Sequence, residues 1–235
     1  MKLTLLVPAY NEQENMKRFE KEVIPVMDAL EKKYSIVTEL VLVNDGSTDN
    51  TLDVMHNLAK KDNRVDIVSY MPNRGIGYAL RTGIKELNSD FTVMLDSDLT
   101  FHPNDISIMI GVLGKADVIL GSPFMKGGTT QVPIHRKILT SIVAFMYRIV
   151  LGKKVKAVTP IFKLYNTDDL KELDLESDGF TIFAEMLSKL IFKKKTIKEV
   201  PVSLTTRIHG ESKLKFTKEI KNNLKMMYKM LKWRF

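Results

Sequence analysis

Asp96 and Asp98 lie two apart directly behind the apolar run Phe91–Leu95, with Ser97 between them and Thr100 shortly after. Two carboxylates so spaced at a strand end can both reach one divalent cation. Magnesium is commonly held by one or two carboxylates plus the oxygens of a bound phosphate. Three further polar segments follow apolar runs in the same manner: Val7-Pro8-Ala9-Tyr10-Asn11-Glu12, Val43-Asn44-Asp45-Gly46-Ser47-Thr48-Asp49 and Pro72-Asn73-Arg74-Gly75-Ile76-Gly77. The last of these begins a helix whose free backbone N–H groups would face an anion. Each segment taken alone has an ordinary reading. Asp96 and Asp98 suit a solvated turn with a helix cap, Asp45 with Gly46 an Asx turn, and Tyr10 and Glu12 a loop and helix start. Their joint occurrence at successive strand ends is what turns alone do not explain.

The elements that must position these residues alternate through the first 120 positions. Leu3–Val7, Glu39–Val43, Val65–Ser69, Phe91–Leu95 and Ala116–Leu120 are short, apolar and closed by polar or glycine residues, as strands are. Between them Glu14–Lys33, Thr51–Lys61, Ile76–Leu87 and Asn104–Leu113 carry helical periodicity. Asp49 or Asn50 caps the second helix and Pro103 starts the fourth. Such alternation predicts an α/β fold, a mostly parallel sheet with helices on both faces. Ligands of such sheets sit beyond the carboxyl ends of the strands, where all four segments fall. After residue 121 the rhythm changes. Gly127-Gly128 starts a loop, Pro133 opens a helix to Leu151, and Ile161–Tyr165 and Ile197–Val202 read as strands around a helix at Gly179–Phe192. The last twenty residues form a basic amphipathic helix, so the chain divides into 1–215 and 216–235.

With 235 residues and a net charge of +8, the chain has room for a large core and is drawn to something anionic. It has no cysteine, which removes disulfides and thiolate metal sites and fits a reducing compartment. The chain starts straight into a strand-like run, without the basic leader of a signal peptide, and no stretch of about 18 apolar residues marks a membrane span. Nucleic acid is not an expected partner, because the charge gathers in the final 45 or so residues without a recognisable binding fold.

Asp-x-Asp-x-Thr after an apolar strand is also the nucleophile motif of haloacid-dehalogenase-like phosphatases. There it belongs to the first strand and needs a later acidic pair at another strand end. Here it follows the fourth strand, and Asp168-Asp169 has the look of a helix start. The four segments VPAYNE (7–12), VNDGSTDNT (43–51), NRGIGYALRTG (73–83) and LDSDLTFHP (95–103) instead resemble the nucleotide-binding half of family 2 glycosyltransferases of the GT-A (Rossmann-like) fold. GSPFMKGG (121–128), HRKILTS (135–141), FKLY (162–165), GFTIFAEM (179–186), EVPVSLTTR (199–207) and HGESKL (209–214) follow the order of dolichyl-phosphate mannose synthases. The resemblance covers residues 3 to about 220, and its most discriminating block is Arg207–Leu214.

The resemblance implies roles. Pro8, Tyr10, Glu12, Val43 and Asp45 hold the base and ribose of a nucleotide sugar. Asp96, Ser97 and Asp98 surround Mg2+ or Mn2+ and the diphosphate, with Thr100 at a further metal position. Arg207 and Lys213 reach the donor phosphates or the reacting centre, and Arg136 and Thr140 meet the acceptor's phosphate. Arg136 and Thr140 are i and i+4 on one helix face, as a shared anion site requires. The reaction implied is hexose transfer, from GDP-mannose, to a polyprenyl or dolichyl phosphate. The acceptor phosphate is already ionised near neutral pH, with a second pKa of about 6, so no side-chain base is needed. Direct displacement inverts the anomeric centre. Two positions depart from the family: Pro123 stands where an arginine is usual, with Lys126 nearby, and Lys163 replaces another arginine as a point donor. These keep a UDP-glucose or UDP-N-acetylhexosamine donor open, and a non-catalytic sugar-nucleotide-binding subunit is the other alternative.

Such an acceptor resides in a membrane. Phe216, Ile220, Leu224, Met227, Leu231 and Phe235 fall on one helical stripe beside Lys218, Lys221, Lys225, Lys229 and Lys232, with Trp233 near the end. This predicts an interfacial helix that meets acidic lipid. The alternative is a helix docked on the sheet with a solvated lysine face. The first reading places the chain peripherally on the cytoplasmic face of a membrane, with help from an anchoring partner protein.

Overall fold

A computed structural model describes residues 1–132, 134–152, 155–210 and 216–233; at Ile134–Arg136, Ile138, Leu139 and Phe216–Lys218 it describes the backbone alone. Seven strands form one sheet: β1 (Lys2–Ala9), β2 (Val37–Asp45), β3 (Val65–Tyr70), β4 (Phe91–Met94), β5 (Val118–Ser122), β7 (Lys163–Asn166) and β8 (Ile197–Pro201), in the order β3-β2-β1-β4-β7-β5-β8. A second, two-stranded sheet pairs β6 (Thr129–Thr130) with β9 (Ser203–Leu204). β1, β2, β3 and β4 are mutually parallel, and β7 alone runs antiparallel, between β4 and β5. The apolar runs behind these strands are buried on both faces, Leu3, Leu5, Leu6, Leu40, Leu42 and Val43 fully, as a covered parallel sheet demands.

The helices are α1 (Gln13–Met16), α2 (Phe19–Glu22), α3 (Ile24–Tyr34), α4 (Thr51–Lys61), α5 (Ile76–Glu86), α6 (Ile106–Ile110), α7 (Ile134–Leu151), α8 (Thr167–Lys171), α9 (Ile182–Phe192) and α10 (Phe216–Trp233). The continuous helix expected over 14–33 is thus three pieces. Pro25 sits in the first turn of α3, where its missing N–H costs nothing, so periodicity runs through the breaks unmarked. The helix expected over 104–113 is shorter too: a 3-10 turn over Pro103–Asp105, capped by His102 Nδ1 3.2 Å from the Asn104 amide, precedes α6. At α4 the cap position is Asn50, whose side chain makes no capping bond, and Asp49 Oδ1 just before it accepts from the amide and hydroxyl of Thr51 at 3.0 and 2.5 Å.

α10 docks on α7 and α9 and buries Met226, Met227 and Met230. Tyr147 on α7 donates to Asn223 Oδ1 at 2.6 Å. The single apolar stripe expected on this helix is therefore split. Met227 faces the body, while Ile220, Leu224 and Leu231 stay exposed and are joined by Tyr228. At 3.6 residues per turn the docked methionines and the exposed residues occupy separate sectors, with Lys221, Lys225, Lys229 and Lys232 in a third. Phe235 lies outside the described residues, as do the side chains of Phe216 and Lys218.

Candidate active site

Because β1 to β4 are parallel, the polar segments behind them open at one edge of the sheet. They border a cleft of about 1090 Å³. Asp96 and Asp98 lie at its centre, behind the middle strand. Leu99 adopts a left-handed φ of 53° and turns the chain back on itself. The Thr100 amide then reaches Asp96 Oδ1 and Asp98 Oδ1, both at 3.1 Å, and its hydroxyl donates to Asp96 Oδ2 at 2.8 Å. Thr100, expected beside a metal, thus holds the Asp96 carboxylate. Burial, and then the neighbouring Asp98 charge, pushes the Asp96 carboxyl well above the usual carboxylate range. Two carboxylates pressed together in this way fit a divalent cation whose remaining ligands are substrate oxygens. Among the described residues no group of three or more acidic or histidine side chains is arranged to hold a metal ion by itself, so those oxygens would be needed.

Arg207 closes this centre from the far end of the chain. Its Nε and Nη2 lie 2.7 and 2.6 Å from Asp98 Oδ2, and Nη1 lies 3.4 Å from Glu12 Oε1. Arg18 donates to the Asp98 carbonyl at 2.9 Å while paired with Glu22. Nothing in the sequence marked Arg18, one charged residue among many on a broken helix.

On the side expected to take the nucleotide, Pro8, Tyr10, Glu12 and Asp45 all line the cleft. Asp45 is buried, and its carboxylate is filled by the segment that ends β3 and leads into α5. Oδ1 accepts from the Tyr70 hydroxyl and the Arg74 amide, both at 2.8 Å. Oδ2 accepts from Asn73 Nδ2 at 2.7 Å and the Gly75 amide at 2.9 Å. The Gly77 amide goes to the Asp178 carbonyl at 2.7 Å. Of the amides at the start of α5, expected to face a bound anion, those of Arg74, Gly75 and Gly77 are thus taken within the chain. Val43 does not line the cleft either: its side chain is fully buried and packs beneath α5 at Gly83.

The opposite wall was only partly anticipated. Asp178, Gly179 and Phe180 line it, in a loop clamped from two sides. Arg81 donates to the Ser177 carbonyl at 2.6 Å and Asp178 Oδ1 at 2.5 Å. Buried Glu185 accepts from the amides of Glu176 and Ser177 at 3.0 and 2.9 Å. A Cβ on Gly75 or Gly77 would come within 2.6 or 2.1 Å of the carbonyl oxygens of Asp178 and Ser177. Two glycines in Arg74-Gly75-Ile76-Gly77 are the signal for a close approach, but not for a partner a hundred residues away. Ser97 lines the cleft as expected. Thr140 is half-buried on α7 outside the lining, Lys126 is exposed, and Pro123 is buried. Lys213 and the side chain of Arg136 lie outside the described residues.

Residues 4–174 match the model of glycosyl transferase family 2. The chain is 30% identical over 237 aligned positions to a dolichol-phosphate mannosyltransferase of Pyrococcus furiosus, covering 99% of this chain and 64% of that protein, just under two thirds of its length. It is 27% identical to an undecaprenyl-phosphate mannosyltransferase of Micrococcus luteus, over 91% of this chain and 88% of the relative. It is 28% identical to a dolichol-phosphate mannosyltransferase of Saccharomyces cerevisiae, over 90% and 80%. Among solved structures, glucosyl-3-phosphoglycerate synthase of Mycobacterium tuberculosis, crystallised with Mn2+, UDP-glucose and phosphoglyceric acid, superimposes with a TM-score of 0.68 at 19% identity. That match covers 99% of this chain and 79% of the other. The mostly parallel sheet with helices around it is therefore the GT-A fold, and the chain belongs to glycosyl transferase family 2.

Proposed function

We propose that this glycosyltransferase moves a hexose, mannose from GDP-mannose, onto a polyprenyl phosphate such as dolichyl phosphate, with inversion at the anomeric carbon. The observation that carries the reading is the Asp96/Asp98 pair at the end of the middle strand, with Arg207 brought onto it across 109 residues. That arrangement supports the reading because both signs of charge would be needed beside the bond of a sugar diphosphate that breaks. The mannosyltransferases named above supply the acceptor class by likeness.

The bond changes are simple. An ionised oxygen of the acceptor phosphate forms a bond to the anomeric carbon as the bond from that carbon to the diphosphate oxygen breaks. The electron pair leaves on the nucleoside diphosphate. No proton moves in this step, so no base is required, and alignment and charge stabilisation supply the catalysis. Asp96 and Asp98 would hold Mg2+ or Mn2+, which supplies positive charge to the departing diphosphate. Arg207 is within reach of the same oxygens, and Lys213 is proposed beside it. Pro8, Tyr10 and Glu12 border the nucleotide, and Asp45 fixes the loop that faces it. Arg136 and Thr140 are proposed at the acceptor phosphate.

The membrane is proposed to be met through α7 and α10. Ile142, Phe145 and Ile149 on α7 are exposed, as are Ile220, Leu224, Tyr228 and Leu231 on α10. Exposed apolar patches mark interaction surfaces, and the lysine sector of α10 suits an acidic lipid surface. Val132, just before α7, and Glu219 and Asn222 of α10 line the cleft, so it reaches these two helices. No helix among the described residues is long and apolar enough to cross a membrane. We place the protein peripherally on the cytoplasmic face, with an anchoring partner protein as a further proposal.

The test is transfer of radiolabel from GDP-mannose or UDP-glucose to a short polyprenyl phosphate with Mg2+ or Mn2+, followed by extraction into organic solvent. Label from GDP-mannose that disappears in Asp98→Ala is expected. A retained anomeric configuration by NMR of the product would sink direct displacement. Label from UDP-glucose alone would favour the second reading, a uridine nucleotide donor, to which buried Pro123 in place of an arginine points.

A further inference from the structure

Beneath the cleft lies a charge that this chemistry leaves unused. Lys163 opens β7 and is fully buried, bracketed by Met94 of β4 and Leu120 of β5. Its ammonium donates to the carbonyl of Pro160 and stands 5.4 Å from the centroid of the Phe183 ring, within the range of a cation–π contact. Thr159 and Ile161, on either side of Pro160, line the cleft, and so does Phe183. One buried cation therefore joins two otherwise separate pieces of wall, the segment entering β7 and the first turn of α9.

The sheet order says which wall this is. The loops proposed for the nucleotide follow β1, β2 and β3, and the carboxylate pair follows β4. β7 is the next strand on the opposite side, so Thr159, Ile161 and Phe183 face the half of the cleft left for the acceptor. Burial alone draws the Lys163 pKa down to about 7, a cost that an apolar residue of similar length would spare. Costs of this kind gather where a site needs a particular shape.

We propose that Lys163 is a positioning residue for the acceptor: it touches no substrate and sets the wall made by Thr159, Ile161 and Phe183. This rests on the acceptor-side reading above. In Lys163→Met the chain length is kept while the donor and the cation are lost. The acceptor KM is expected to rise about tenfold, the scale of about 1.4 kcal/mol of lost acceptor binding. The KM for the nucleotide sugar, and kcat at saturating acceptor, should stay as in the wild type. Lys163→Arg, which keeps both donor and cation, should recover most of the loss.

The substrate-free protein gives an independent readout, the Ile161 δ1-methyl resonance, expected to move in Lys163→Met and to return toward its wild-type position in Lys163→Arg. An unchanged acceptor KM with an unmoved methyl would overturn the proposal, as would an equal rise in both KM values. If the wild type labels no lipid phosphate, the functional reading fails, and the methyl spectrum alone decides Lys163. Should Lys163→Met not fold, Lys163→Gln, which keeps a donor of shorter reach, is measured in its place against the same outcomes.

Discussion

The two halves of the sheet build their walls by different means. On the β1–β3 side, short polar side chains tie each loop to the next. The Asn11 amide donates to Ser47 Oγ and Asn11 Oδ1 accepts from the Thr48 amide, the Glu12 amide donates to Thr51 Oγ1, and Asp45 gathers Tyr70, Asn73, Arg74 and Gly75. On the β7–β5 side the side-chain ties sit in the outer segments, where Glu199 takes the amides of Lys156 and Ala157 and Glu185 those of Glu176 and Ser177. Lys163 is buried with a single carbonyl for its ammonium, and the Tyr165 hydroxyl and Ser122 Oγ are buried without a hydrogen bond. The helices beyond them expose apolar stripes. The half proposed for the donor is assembled in advance from polar groups that are mostly paired, Asn15 Oδ1 being a buried exception. In the half proposed for the acceptor, the wall entering β7 is set by burial and one cation, and it opens toward an apolar surface.

The largest expected effect lies on the boundary between the halves. Asp98→Ala removes one partner of Arg207 and one of the two carboxylates proposed beside the leaving diphosphate. A loss of about a thousandfold in kcat is expected, on the scale of removing one preorganised electrostatic group. Single-turnover assays with both substrates saturating check it. Residual activity within tenfold of wild type would detach the carboxylate pair from the chemistry and dissolve the boundary itself.

A smaller effect separates the halves. Asp45→Asn turns one acceptor oxygen into a donor. Placed against the Arg74 amide it loses one bond, since the Tyr70 hydroxyl can turn to accept, and placed against Asn73 Nδ2 and the Gly75 amide it loses two. The nucleotide-sugar KM should rise about tenfold or more through the misplaced loop, with the acceptor KM unchanged. Tyr70→Phe should weaken donor binding in the same direction and less than additively with Asp45→Asn, because both act on one loop. Steady-state kinetics on the cycle decides this. Additive effects with a changed preference between guanosine and uridine donors would mean that Asp45 reads the base directly.

Vesicle binding probes the outer face of the acceptor half. Phe145→Glu and Leu224→Glu each put a charge into an exposed apolar stripe. Each should weaken co-sedimentation with acidic vesicles several-fold while leaving the melting temperature near wild type, since surface changes rarely exceed about 0.5 kcal/mol. Unchanged sedimentation in both variants would turn the stripes into surfaces for another protein.

The same contrast explains what could be read before the structure. The donor half is written locally: an apolar run, then a polar segment, repeated four times. That local pattern located Tyr10, Asp45, Asp96 and Asp98, and their convergence follows from parallel strands. It did not reveal that Asp45 is used up by the segment leading into α5, because Tyr70 and Asn73 lie some twenty-five residues downstream. The break in the helix over 14–33 was hidden since Pro25 is tolerated in a first turn and Arg18 is held by the distant Asp98 carbonyl. In the acceptor half the periodicity of α10 gave an apolar sector, but not that Met226, Met227 and Met230 dock while Ile220 and Leu224 do not. Lys163 read as a replaced arginine. Only the insertion of β7 between β4 and β5 shows it to be buried.

The smallest effect is a slope. The Lys163 ammonium titrates near 7 in the folded chain and at about 10.4 once unfolding exposes it. Below pH 7 both states hold the proton, and the cost of burying the charge is borne in full. Between about 7 and 10 the unfolded chain binds a proton that the folded chain has released, so stability from this group rises with pH, by up to about 1.4 kcal/mol per pH unit. Lys163→Met has no such group. Its stability relative to wild type should therefore fall steadily from pH 7 to pH 9 and stay constant from pH 5.5 to 6.5, when both are unfolded in urea at each pH. A difference that is flat across both windows would mean that water reaches the ammonium, and the wall would then owe its position to Phe183 and the strand alone.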